Sequence, residues 1–235
     1  MHWIVQNEIG LDEEVFPRRN RLSAVLRKPL EEHIFGEFEL RTDTSTHQRR
    51  LVLQSNAGPP LPYLVWSAGQ REFVPLLLGL YWLLPPSKTP RRWDFDSVVI
   101  EEPEAGLHPN GIGAVINLVM ELLLRGYRVC VSTHSPHVLD IFWALRFFQQ
   151  NNGQPKDVLS LLGLEATHKT KQLAKAALAG DFRTYYFARN GKVRDISRLD
   201  PGSEDIVEGG WGGLTEFSGR VGDIVADVAN RNEKS

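Results

Sequence analysis

Two short apolar runs, Phe95 to Ile100 and Arg128 to Ser132, bracket one helical stretch, and this arrangement restricts the fold more than any other part of the chain. Between them, Gly111 to Arg125 carries Ile112, Val115, Ile116, Val119, Leu122 and Leu123 on a wide apolar face, and Gly126 stops it. Strand, helix and strand in that order form a βαβ unit, which closes with right-handed crossover and parallel strands. The strands are continuous apolar runs rather than alternating ones. That pattern predicts a parallel sheet covered on both faces, with Cys130 as a buried core thiol.

Each run ends in residues that carry chemistry. The first stops at Glu101 and Glu102, followed by Pro103 and Glu104; the second stops at Thr133 and His134. Open parallel sheets bind ligands at the carboxyl ends of their strands. Two adjacent carboxylates buried there need a cation or a strong donor set; otherwise they are a solvated strand terminus. Upstream, Ser67 and Gln70 stand three apart, as in a capping box, and an apolar helix follows to Leu84, with Pro75 expected to kink it or delay its start. A helix start of Ser67-Ala68-Gly69-Gln70 offers free N–H groups to an anion, although alone it reads as an ordinary cap. A metal-dependent hydrolase built from Glu101, Glu102, Glu104, His108 and His134 is a further reading. It matches no zinc spacing, and His108-Pro109 reads as the start of the next helix.

The remainder of the chain adds little chemistry. Arg21 to Phe35 has helical spacing interrupted by Pro29, and Glu37 to Arg41 with Arg50 to Gln54 reads as a hairpin around TDTSTHQ. Residues 56 to 62 form a turn or linker, and a Pro-rich basic loop precedes Trp93. Ser135-Pro136 opens a helix carrying Val138, Ile141, Phe142, Leu145 and Phe148; a short helix spans Leu173 to Leu178. Asn190-Gly191 turns a hairpin, and an amphipathic helix lies near Val221 to Val228. Trp66, Trp82, Trp93 and Trp211 read as core or interface packing. With net charge −2 over 235 residues, bulk electrostatics point to neither nucleic acid nor membrane. The clusters Arg18, Arg19 and Arg21, Arg49 and Arg50, and Arg91 and Arg92 read as solvated loop charges. The most apolar stretch, Phe73 to Leu84, is too short for a bilayer, which needs roughly 20 residues. A single cysteine permits no internal disulfide and suits a reducing cytoplasm.

The order Ser-x-Gly-Gln, then VVIEEPEAGLHP, then VSTHSP resembles the carboxyl-terminal half of an ABC-class ATPase, in the soluble branch related to SMC, RecF and OLD-type proteins. The resemblance covers residues 60 to 145, with these stretches matching the signature motif, the Walker B and D-loop, and the histidine switch. It implies an α/β fold of the P-loop NTPase type, with a mainly parallel sheet flanked by helices, here incomplete and bearing a terminal β-hairpin. Residues 1–60 become a connecting region and 61–235 the carboxyl-terminal ATPase lobe. ATP and Mg²⁺ are the implied cofactors. Glu101 would hold the metal, Glu102 would act as general base toward water, and His134 would contact the γ-phosphate. Ser67, Gly69 and Gln70 would meet a nucleotide on the opposing subunit.

Two departures from the family pattern stand out. Glu101 replaces the commoner Asp, a change that a water-bridged Mg²⁺ shell can absorb. No G-x-x-x-x-G-K-[ST] loop occurs; the only Gly-Lys is Gly191-Lys192, with Tyr186 where the first glycine belongs. The expected partner is therefore a phosphate-loop-bearing chain or a second copy, with DNA or a nuclease as further partners by family analogy and no membrane. A non-catalytic interaction module that keeps the fold is the alternative.

Overall fold

The computed structural model describes residues 14–18, 22–43, 49–84 and 94–232. It begins with strand β1 (Glu14–Phe16), helix α1 (Ala24–Leu30) with a following π-turn (Glu31–Phe35), and strands β2 (Glu39–Asp43), β3 (Arg50–Gln54) and β4 (Leu61–Pro62). Helix α2 (Ala68–Leu83), strand β5 (Ser97–Glu101), helix α3 (Pro109–Leu124) and strand β6 (Arg128–Ser132) form the middle. Helices α4 (Pro136–Gln150), α5 (Pro155–Leu161) and α6 (His168–Ala179) follow. Then come strands β7 (Tyr185–Phe187) and β8 (Val193–Asp195) and helices α7 (Ile206–Gly209) and α8 (Glu216–Asn232). The amino-terminal stretch, Arg19, Arg21, the centre of the TDTSTHQ loop and the Pro-rich loop with Arg91, Arg92 and Trp93 lie outside the described residues. No helix among the described residues is long and apolar enough to cross a membrane.

The chain divides into two compact units, Met1–Thr133 with Gln154–Ala179, and His134–Gly153 with Gly180–Ser235. In the first, β1 to β4 form an antiparallel sheet in sequence order. The expected hairpin is its centre, from Glu39 opposite Gln54 to Asp43 opposite Arg50. Pro29 sits in the last turn of α1, where it has no N–H to give the helix ladder. The turn after it widens to π geometry, closed by the Gly36 N–H donating to the Glu31 carbonyl at 2.7 Å. Phe16 stacks on Phe35 with ring centroids 4.5 Å apart, and Phe35 meets Phe73 edge-on. Helix α3 packs against α1, α6 and β6 and is buried nearly all round. Even its Glu121 is buried, held by Arg125 at 3.1 Å and Lys169 at 3.0 Å.

The βαβ unit forms as expected, with β5 and β6 parallel from Ser97 opposite Arg128 to Glu101 opposite Ser132. Two expectations about it need correction. Parallel pairing among the described residues is confined to these two strands, and the larger sheet is antiparallel, because the described chain contains one crossover helix and hence one parallel pair. Nor is the pair covered on both faces. Ile100 is buried and Val98, Val129 and Val131 are half-buried, but Ser97, Val99, Glu101, Arg128, Cys130 and Ser132 are all exposed on the other face. Val99 is 70% exposed and Cys130 is an exposed free thiol rather than a core one. Apolar runs of this kind identify a strand without supplying the second layer that would cover it.

The second unit is built on α4, the β7–β8 hairpin around Asn190-Gly191, and Trp211. Leu139, Ile196, Leu199 and Trp211 form its core, and the Trp211 indole N–H donates to the Leu199 carbonyl at 3.1 Å. Arg146 and Gln149 of α4 donate to the Phe182 and Gly180 carbonyls, which fixes the chain leading into the hairpin.

Candidate functional site

Strand β5 ends abruptly because its ladder with β6 continues for one bond only: the Glu102 N–H donates to the Ser132 carbonyl at 2.9 Å. Glu102 then adopts φ +43°, a left-handed conformation unfavourable for a side chain with a Cβ. Two tight turns follow, the Ala105 N–H bonding to the Glu102 carbonyl and the Leu107 N–H to the Glu104 carbonyl. Pro103 turns inward and is buried, leaving Glu101 and Glu102 exposed at the strand end. The Thr133 hydroxyl donates to Glu104 at 2.6 Å, so the loop after β5 is tied to the residue after β6. His108 caps α3, its Nδ1 accepting from the Asn110 N–H at 3.3 Å, with Pro109 at the first helical position. That capping role answers for His108 without a metal.

Helix α2 begins where the spacing of Ser67 and Gln70 predicts. The Ser67 hydroxyl accepts from the Gln70 N–H at 3.2 Å, and the Gln70 side-chain oxygen accepts from the Ser67 N–H at 3.1 Å. The Gln70 side-chain nitrogen donates to the Ile34 carbonyl at 3.2 Å, so both ends of this amide are engaged within the chain. Gly69 lies against the loop after β5. A Cβ there would sit 2.6 Å from the Gly106 carbonyl oxygen and 2.8 Å from Leu107 Cδ2. Gly106 is at φ +67°, and a Cβ on it would lie 2.8 Å from the Gly69 nitrogen. The two glycines allow the SAGQ turn and the EAGLHP loop to meet backbone to backbone. Pro75 does not break α2, which runs without interruption to Leu83.

One face of α2 and the strand ends enclose a cleft of about 610 Å³, lined by Glu72, Leu76, Glu101, Glu102, Pro103 and Ser132 among others. The structure thus brings Glu101 and Glu102 together with Ser132, and adds a third carboxylate, Glu72. Sequence reading missed Glu72; its one signal was its place on the same helix as the SAGQ turn. Ser67, Gly69 and Gln70 are grouped at the start of α2, against the loop that follows the two glutamates. His134 is exposed and opens the second unit, two residues ahead of α4. No three His, Cys, Asp or Glu side chains among the described residues cluster closely enough to hold a metal alone. The donor set suits a hard cation that brings most of its own oxygen ligands, as Mg²⁺ does with phosphates and water.

No curated protein and no solved structure matches the chain. A family model does: residues 9–140, more than half of the chain and spanning the cleft, the SAGQ turn and His134, match the family described as "AAA domain, putative AbiEii toxin, Type IV TA system". The chain belongs to this AAA family of ATP-binding domains, whose fold is the α/β fold of P-loop NTPases.

Proposed function

We propose that this chain contributes the Walker B, signature and histidine-switch part of a soluble ABC-class ATPase site related to those of SMC, RecF and OLD-type proteins. A phosphate loop from outside the described residues completes it, and dimerisation makes it competent. The observation that carries this reading is the β5–β6 pair. Its carboxyl end presents Glu101 and Glu102 to a cleft, while one face and both outer edges of the pair are unoccupied by any described strand. Parallel pairs are rarely stable uncovered, so further sheet, and with it further site, belongs beside them. Residues 61–235 form the ATPase lobe in this reading and 1–60 its connecting region.

Phosphoryl transfer asks a protein for positioning and electrostatics more than for covalent chemistry. When bound, Mg²⁺ would neutralise the charge developing on the transferred phosphoryl group, and Glu101 is the residue that would hold it. Glu102 orients the attacking water and accepts its proton, a task suited to an exposed carboxylate at a strained, fixed turn. His134 donates toward the γ-phosphate, and Ser67 with the first N–H groups of α2 faces a nucleotide on the opposing subunit. The family description, which names a toxin of a type IV toxin–antitoxin system, supports a role in such a system; phage defence, with DNA or a nuclease as the associated partner, follows by analogy with SMC-, RecF- and OLD-type proteins.

A second reading, a non-catalytic module that retains the fold, is favoured by one observation: Gln70 and Gly69 are fully explained by packing within the chain. Purification from the native source, identification of a co-purifying phosphate-loop chain, and ATP turnover of the completed assembly decide between them. On the catalytic reading Glu102→Gln lowers turnover by roughly 10²–10⁴ while nucleotide still binds. Undiminished turnover rejects the assignment of Glu102, and an assembly that functions without turning over ATP favours the module.

A further inference from the structure

Helix α8 is 17 residues long, and every residue from 216 to 231 is exposed. A lone helix of this length is marginal in water, more so with Gly219 and Gly222 in its interior. Yet it carries a continuous apolar stripe. Phe217, Val221, Ile224 and Val228 follow at intervals of four, three and four, with Phe217 67% and Ile224 58% exposed. Val225 borders the stripe. This is the a/d seam of a short coiled coil, left exposed among the described residues.

We propose that α8 is a self-association element, in which two copies of this chain pair their α8 helices antiparallel about a twofold axis between residues 222 and 223. The sequence of the stripe selects the occupant and the direction. In this register Phe217 meets Val228 of the second copy and Val221 meets its Ile224, so all four seam residues are matched and the interface is isologous. The residues flanking the Val221 layer are then Arg220 and Asp227 of the second copy, and symmetry repeats that pair on the other side. Arg220 lies over the Phe217 ring at 5.5 Å, and neither it nor Asp227 forms an ion pair with another described residue. Parallel pairing would instead set Arg220 against Val225, with no charge match. Gly219 and Gly222 fall on the outer face. Two helices about 25 Å long with four anchors each make a small interface, and the dimer is correspondingly weak and concentration-dependent. It requires no nucleotide and is independent of the ATPase site.

Sedimentation velocity of the full chain, in EDTA and without nucleotide, from low to high micromolar concentration, tests it. The wild type shifts from monomer to dimer, and Ile224→Asp remains monomeric. Arg220→Asp and Asp227→Arg each weaken self-association by roughly tenfold or more, since each replaces two attractions by two repulsions. An equimolar mixture of these two variants recovers dimerisation, because each supplies the charge the other lacks; far-UV circular dichroism verifies that both are folded. A wild type monomeric at every concentration overturns the proposal, as does an Ile224→Asp variant that dimerises normally. Folded charge variants that fail to recover on mixing also overturn it.

Discussion

Replacing Gly69 by Ala is expected to destabilise the chain, although alanine is ordinarily the better helix residue by roughly 1 kcal/mol. The reason is the approach of α2 to the loop after β5. The new Cβ would lie 2.6 Å from the Gly106 carbonyl oxygen and 2.8 Å from Leu107 Cδ2. Leu107 Cδ2 ends a flexible side chain and can move, but Gly106 O is backbone. Gly106 cannot easily retreat, because it is at φ +67° in a turn whose bonds tie Ala105 to Glu102 and Leu107 to Glu104. Forcing such a contact open costs about 2–3 kcal/mol, which leaves a net loss of about 1–2 kcal/mol after the gain in helix propensity. Gly79 of the same helix provides the control. A Cβ there meets nothing within 4 Å, so Gly79→Ala should stabilise by about 0.5–1 kcal/mol. Urea denaturation without nucleotide, read as a midpoint shift at constant slope, measures both. If Gly69→Ala is as stable as Gly79→Ala, the close approach does not constrain the fold, and Gly69 is left with a nucleotide role alone.

Two further outcomes follow from the geometry. Thr133→Val removes the hydroxyl that donates to Glu104 and should cost about 1–3 kcal/mol, whereas Thr133→Ser should retain most of the stability; equal losses for both would assign the effect to packing. In the second unit, the Ser197 hydroxyl and backbone N–H hold the Asp195 carboxyl below its ordinary range. A depressed folded value contributes stability that is present above the unfolded value, near 3.9, and is lost as pH falls through the folded one. The melting temperature of Asp195→Asn should therefore fall less steeply than that of the wild type below about pH 4, and parallel profiles would refute the link.

Local features were legible because they are encoded within a few residues of one another. The Ser67–Gln70 capping box, Pro109 and Pro136 at their helix starts, the hairpin at Asn190-Gly191 and the β5–α3–β6 order all follow from short-range geometry. Elements of two or three residues such as β1 and β4 carry no periodicity and acquire strand structure only by pairing with β2 and β3. Helix α5 escaped notice because seven residues are too few for a pattern, although Pro155 and the bond from the Gln154 N–H to Asp157 were its signal.

What the sequence determined by itself is chemical: two carboxylates ending one strand, a Thr-His ending the next, a capped helix before them, and no phosphate loop. These are properties of residue identity and order. What only the tertiary structure decided is which groups share a space and which surfaces stay open. Gln70 reaches Ile34 across the chain, Gly69 meets Gly106, and Glu72 joins the cleft, each through contacts between distant segments. The exposure of Cys130 and Val99 has the same origin. An apolar strand records what it can bury, and whether anything covers it depends on residues elsewhere.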